Sequence, residues 1–363
     1  MRAVPEGRLS RPRSVVGMSA TDEPTTSDPV LQEVPLGTQW PTIDPFLFCA
    51  HHLDHYPEGD GELGPAATFE GREIGQDFAG KDGWNLYHGD HVPGFPQHPH
   101  RGFETVTFVR QGLIDHSDSL GATARFGRGD AQWLTAGKGV VHSEMFPLVD
   151  ADGPNPLHLF QIWLNLPAAD KLVDPYFTML WDEDIPKVRH TDDEGRATTV
   201  TVIAGALDGV QPLAPPPNSW AARPEADLAI WHLDIEPGAT WTLPAAEGPD
   251  TVRVLYVFEG DGIRVGDHQL GNEVGAVVRC DAPVELTGGS QAAEVLVLQG
   301  RPIGEPVARY GPFVMNTEQE IRQAFEDYQS TQFGGWPWDE DAPHHGPVQG
   351  RFAKHADGRV EER

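Results

Sequence analysis

The sequence predicts an all-β protein made of two β-barrels in tandem and closed by one short C-terminal helix. Three observations predict it. From Trp40 onward, apolar runs of strand length recur between turn residues, the pattern of a sandwich or barrel. The 40 Gly and 33 Pro among 363 residues suit a turn-rich β fold better than a helical bundle. Finally, Val106-Thr-Phe-Val-Arg-Gln-Gly112 resembles Val254-Leu-Tyr-Val-Phe-Glu-Gly260, each a strand ending in an acidic or amide residue and Gly. Each is followed by a later turn, Gly129-Asp130 and Gly271-Asn272, which suggests two copies of one unit. A chance likeness of two hairpins is the plainer alternative.

In chain order, residues 1–35 are rich in Ser, Thr, Pro and charge and are expected to be a disordered extension. Residues 36–168 make the first barrel, with strand-like runs at 104–109, 131–134 and 157–166. Residues 169–333 make the second, with runs at 228–235, 252–258, 276–279 and 293–298. A helix is expected over 317–330. Thr317-Glu-Gln-Glu320 is a capping box, and Ile321, Ala324, Phe325 and Tyr328 follow on one apolar face. Residues 334–363 return to Gly, Pro and charge and are expected to be a flexible tail, with Trp336 and Trp338 docking locally at most.

Composition excludes several functions. Against 26 basic residues stand 55 acidic ones, a net charge of −29, so nucleic-acid binding through the chain's own phosphate contacts is not expected. No apolar run is long enough to span a membrane. Cys49 and Cys280 lie far apart, which argues against a disulfide framework or a cysteine zinc site. Arg2, Arg8, Arg11 and Arg13 come without the apolar stretch of a secretory signal, so a cytoplasmic protein is expected. Met18 is an alternative start.

The most informative segment is Phe95-Pro-Gln-His98-Pro-His100-Arg-Gly-Phe-Glu104. On a strand, His98 and His100 share a face and can reach one ion. Pro99 cannot donate to a ladder, so this is an edge strand or a bulge. His142 and Glu144 have the same spacing. Two such pairs can meet from neighbouring strands of one small barrel. Three neutral nitrogen donors and one carboxylate leave two octahedral positions open, which suits Fe(II) and dioxygen chemistry; Ni, Co, Mn and Cu also bind such sets. Glu104 follows His100 by four residues and is the competing acidic ligand if the strand is regular.

His98-Pro-His-Arg-Gly-Phe-Glu-Thr105, Gly129-Asp-Ala-Gln-Trp-Leu-Thr-Ala-Gly137 and His142-Ser-Glu144 resemble the signatures of the pirin family of bicupins, as does Gly311-Pro-Phe-Val-Met-Asn316 before the helix. The resemblance spans about 36–333 and implies two tandem cupin barrels. It implies one metal, Fe(II) in that family, held in the first barrel by His98, His100, His142 and Glu144. Glu104 then becomes a supporting or structural carboxylate. No His-x-His occurs in the second half, where His232 and His268 look isolated, so the second barrel is expected to be a metal-free scaffold or lid.

The resemblance further implies quercetin 2,3-dioxygenase-like activity on a flavonol and dioxygen, with ring opening and loss of carbon monoxide. Glu144 would take the flavonol's hydroxyl proton. The alternative is a redox- or metal-sensing regulator acting through a protein partner without turnover. A monomer is expected. The remaining histidines receive plainer readings. His51, His52 and His55 are exposed or at a cavity mouth, and His91 is near the site at most. His116 and Asp118 are turn residues; His344, His345 and His355 sit in the tail without a specific role. Phe95, Phe103, Phe108, Trp133, Phe160 and Trp163 are mainly core, and Cys49 is a small buried hydrophobe.

Overall fold

The computed structural model describes residues 28–347 and 350–363. Two antiparallel sheets enclose the first barrel. One runs, in spatial order, Tyr176–Leu180, Ala131–Thr135, Phe103–Gln111, Asn155–Asn165, Phe46–Tyr56 and Gln39–Trp40. The other runs Val360–Glu362, Phe352–Lys354, Thr123–Gly127, Leu113–Asp118, Val140–Met145 and Gly94–His100. The second barrel pairs a seven-stranded sheet, from Val30–Pro35 at one edge to Lys187–Thr191 at the other, with a four-stranded sheet carrying Thr240–Leu243 and Val284–Gly288.

Period-two alternation explains how the barrels pack. Along Phe103–Gln111, Val106 and Phe108 face the second barrel and join Trp133, Phe160, Ile162, Tyr256 and Leu296 in one apolar seam. Trp133, Phe160 and Tyr256 are fully buried there. Such side chains each contribute on the order of 2 kcal/mol through lost apolar surface, so the barrels are held back to back. Thr107, between Val106 and Phe108, points into the first barrel, where it meets Glu144. The second barrel is filled by an apolar cluster that includes Val200, Trp231, Leu233, Leu255, Val257 and Val297.

The repeat read from sequence keeps its faces. Val254 and Tyr256 lie in the seam like Val106 and Phe108, whereas Leu255 turns into its barrel like Thr107. The helix is also as expected. It spans Glu318–Thr331, with the Thr317 hydroxyl accepting from the Glu320 amide and the Glu320 carboxylate accepting from the Thr317 amide. Ile321 and Ala324 are buried with Phe313.

The segment boundaries depart from expectation in three places. Within the stretch expected to be disordered, residues 1–27 lie outside the described residues, but Val30–Pro35 is an edge strand paired with Val274–Val278 of the second barrel. Tyr176–Leu180, placed by sequence in the second unit, pairs with Ala131–Thr135 and closes the first. The stretch expected to be a tail returns to the first barrel. Phe352–Lys354 pairs with Thr123–Gly127, and Ala353 is fully buried. Arg125, bound to Asp115 through two nitrogens (2.6 and 2.7 Å), also donates to the carbonyls of His345 and Gly346. Trp338 donates to the Asp118 carbonyl at 2.9 Å. These segments are polar because ladder pairing and ion pairs hold them, with few apolar side chains to signal it. No helix among the described residues is long and apolar enough to cross a membrane.

Candidate metal centre

Strand Gly94–His100 is the edge of its sheet and pairs antiparallel with Val140–Met145. The register slips between Phe95 and His98, a bulge that spans Pro96 and accommodates its missing donor. Beyond it His98 stands opposite His142, and the alternation turns His100 to the same side. The three ring centroids lie 4.4–4.9 Å apart, and one nitrogen from each ring lies within 4.8 Å of the others.

The donors are oriented and uncharged. His98 Nδ1 is 2.9 Å from the Pro96 carbonyl and His100 Nδ1 is 3.4 Å from that of Pro312, so both donate Nδ1–H and present Nε2. Burial pushes the His98 imidazole down to about 4 and holds His100 and His142 well below the ordinary histidine range. Neutral imidazole is the ligating form. His142 is fully buried, yet neither ring nitrogen has a hydrogen-bond partner among the described residues. An unpartnered buried nitrogen is costly, and a cation shared by three imidazoles satisfies it. The residues present therefore fit a metal.

Glu144 flanks this cluster. Its Oε2 is 3.8 Å from His142 Nε2 and accepts from Gln161 Nε2 at 3.1 Å; Thr107 Oγ1 is 3.3 Å from its Oε1. Burial raises its carboxyl above the usual range, opposed by His116 and these hydrogen bonds. Glu104 is excluded from the cluster. Its carboxylate accepts from Thr135 (2.6 Å) and Ser219 (2.5 Å), and burial pushes it up to about 7. The reason is local: the chain turns at Arg101-Gly102 before the next strand starts at Phe103, so strand parity does not carry over from His100. Gly102 is required there. It has φ +85°, and a Cβ would lie 2.0 Å from the Val314 carbonyl oxygen.

The cluster opens on a cavity of about 520 Å³ lined by His98, His100, Glu144, Thr107 and Gln161, and by the rings of Phe48, Phe78, Phe95, Phe146 and Trp163. Of the two readings offered for His51, His52 and His55, the cavity holds for His51 and His52, and His55 does not line it. Other plain readings of sequence are corrected here. His116 and Asp118 are fully buried in strand Leu113–Asp118, with His116 opposite Glu144, rather than in a turn. His91 is away from the cluster and pairs with Asp60 at 3.0 Å. His345 packs on Phe352, and His355 is buried against Glu361. His232, seemingly isolated, meets Glu294 at 3.0 Å and Asp234 at 3.5 Å, with Arg110 bound to both carboxylates. Tyr87, Asn85, Thr107 and Gln161 belong to the cavity without having been singled out, because one polar residue on a strand or loop carries no spacing signal.

These features agree with comparison to known proteins. The pirin profile matches residues 32–164, and that of the pirin C-terminal cupin domain matches 230–334. A Pseudomonas aeruginosa protein named "Putative quercetin 2,3-dioxygenase" is 39% identical over 241 residues, covering 66% of this chain and 80% of the relative. The chain belongs to the pirin family. Human pirin is 33% identical over 256 residues, covering 68% of this chain and 80% of its own. The crystal structure of a quercetin 2,3-dioxygenase from Acinetobacter baumannii superposes with a TM-score of 0.65 at 25% identity, covering 84% of this chain and 98% of that one. The bicupin architecture is thus the pirin one.

Proposed function

We propose that this pirin is a mononuclear metal dioxygenase that cleaves flavonols such as quercetin. His98, His100, His142 and Glu144 hold a divalent ion, with Fe(II) the first choice and Ni, Co, Mn or Cu the substitutes. The observation that carries the reading is the set of three neutral imidazoles, two buried and one half-buried, with His142 lacking any hydrogen-bond partner among the described residues, at an aromatic cavity large enough for a flat tricyclic ligand. The metal, when bound, would polarise a substrate oxygen and lower the pKa of its hydroxyl. Glu144, held by Gln161 and Thr107 beside the cluster, takes the hydroxyl proton at a carboxylate oxygen. Its raised pKa suits a carboxylate that must accept a proton. Phe95, Phe146 and Trp163 sandwich the rings and exclude water. Dioxygen is the co-substrate, and the protein works in the cytoplasm.

The test is anaerobic iron loading, then quercetin and oxygen, with the flavonol absorbance band followed in time. Bleaching that needs metal and is abolished in His98→Ala supports the enzyme. Tight metal binding with no turnover across a flavonol panel replaces it with a metal-sensing protein that acts through a partner.

A further inference from the structure

The wall of the cavity across from the histidine cluster carries a hydrogen-bonded chain that the reaction above does not use. Tyr87 OH lies 2.7 Å from Asp54 Oδ2, and His52 Nδ1 lies 2.8 Å from the same Tyr87 oxygen. Asp54 is fully buried and also accepts from the Asn85 amide (2.9 Å) and Asn85 Nδ2 (3.0 Å). A carboxylate has no proton to give, so Tyr87 donates to Asp54. The Tyr87 oxygen must then accept, so His52 carries its proton on Nδ1. That leaves His52 Nε2 a bare acceptor, without a partner among the described residues, on a ring that lines the cavity.

The chain is built with effort. Tyr87 has φ +59°, a left-handed conformation that is strained for a tyrosine. Two backbone hydrogen bonds to Asp77, each 2.9 Å, hold it there. Burial keeps the His52 ring neutral down to about pH 4, so it remains an acceptor throughout the working range. His52 stands on a strand of one sheet and the cluster on strands of the other, and the Phe95 ring neighbours both, 6.1 Å from that of His52 and 6.3 Å from that of His98.

We propose that His52 is a specificity-determining residue whose Nε2 accepts a hydrogen bond from a phenolic hydroxyl on the part of the ligand remote from the three histidines. The inference rests on the flavonol reading for its substrate but not for its geometry. It deepens that reading by demanding a ligand with a hydroxyl donor at its far end. A cavity that fixes an acceptor for a hydroxyl rejects the analogue lacking that hydroxyl, because the acceptor is left buried and unpaired.

Asp54→Asn is the decisive substitution. The Asn carbonyl can keep the Asn85 donors while its amide nitrogen donates to Tyr87. Tyr87 then donates to His52 Nδ1, and Nε2 becomes the donor. The experiment uses metal-free full-length protein. Nitrogen-15 shifts of the His52 ring should report Nδ1–H in the wild type and Nε2–H in Asp54→Asn. Quercetin and its mono-O-methyl ethers are then titrated by tryptophan fluorescence, and phenol and anisole by competition. The wild type should bind at least one ether about tenfold more weakly than quercetin, and anisole more weakly than phenol. His52→Phe should erase both preferences, and Asp54→Asn should reverse them. If Asp54→Asn does not fold, Tyr87→Phe should yield mixed tautomers and a reduced preference. An Nε2–H tautomer in the wild type, or preferences that survive His52→Phe, overturns the proposal. Failure of flavonol binding with a His52-dependent phenol preference intact sinks the flavonol reading alone. Metal-dependent turnover indifferent to His52→Phe sinks this proposal alone.

Discussion

The two barrels share a register and differ in what fills them. At the offset of 148 that aligns Val106 with Val254, the seam residues correspond, but the inward Thr107 of the first barrel is matched by Leu255 in the second. Thr107 touches Glu144, whereas Leu255 packs with Val257, Val297 and Trp231. At the same offset His98 and His100 fall on Ala246 and Gly248, which lie in a loop between Thr240–Leu243 and Val252–Glu259. The edge strand that bears the first histidine pair therefore has no counterpart at that place. One barrel spends its interior on a polar cluster and its cavity, the other on close packing. The comparison teaches that the same scaffold divides site and stability between two copies, since unpartnered polar groups in one core must be offset by burial elsewhere.

The largest effect should come from the site barrel. His142→Ala removes one of three imidazoles, and bound metal should fall from one ion per chain to a trace by elemental analysis, with turnover lost. Thermal unfolding of the metal-free protein should change little. If metal stays stoichiometric, the division between the barrels fails. Leu255→Ala in the packed barrel should do the reverse. It should cost about 3–4 kcal/mol in denaturant unfolding and leave metal stoichiometry unchanged.

Glu104 tests the seam. Its carboxyl is pushed up to about 7 in the folded state, against about 4.3 unfolded, so the folded state binds the proton more tightly. Stability should then fall as pH rises from about 4.3 to about 7 and level off above, by up to about 4 kcal/mol. Glu104→Gln should flatten that slope without altering metal content, as pH-dependent denaturation curves would reveal. A loss of metal would return Glu104 to the ligand set. The smallest effect is expected at the chain's end. Phe352→Ala should cost about 2 kcal/mol and speed hydrogen exchange in Thr123–Gly127 while sparing the second barrel. Faster exchange in the second barrel instead would assign the end segment to the wrong half.

Much of this was readable in the chain. The spacing of His98 with His100 and of His142 with Glu144 is a property of one strand each, and so is the inward turn it dictates. The capping box at Thr317 and the apolar face after it are equally local. The alternation of Val106 and Phe108 with Thr107 needs only the pleat of a strand. The pairing of strands far apart in sequence was not readable. Val30–Pro35 joined the second barrel, and Phe352–Lys354 joined the first, through backbone hydrogen bonds that any side chain permits.

The face shown by Glu104 was decided by a turn at Gly102 that resets the alternation. The chain from Asp54 through Tyr87 to His52 was decided by a loop meeting a strand across the barrel. Periodicity and donor chemistry are written residue by residue. Closure, register across long separations and the hydrogen-bond direction at a shared oxygen exist only once distant segments are in contact.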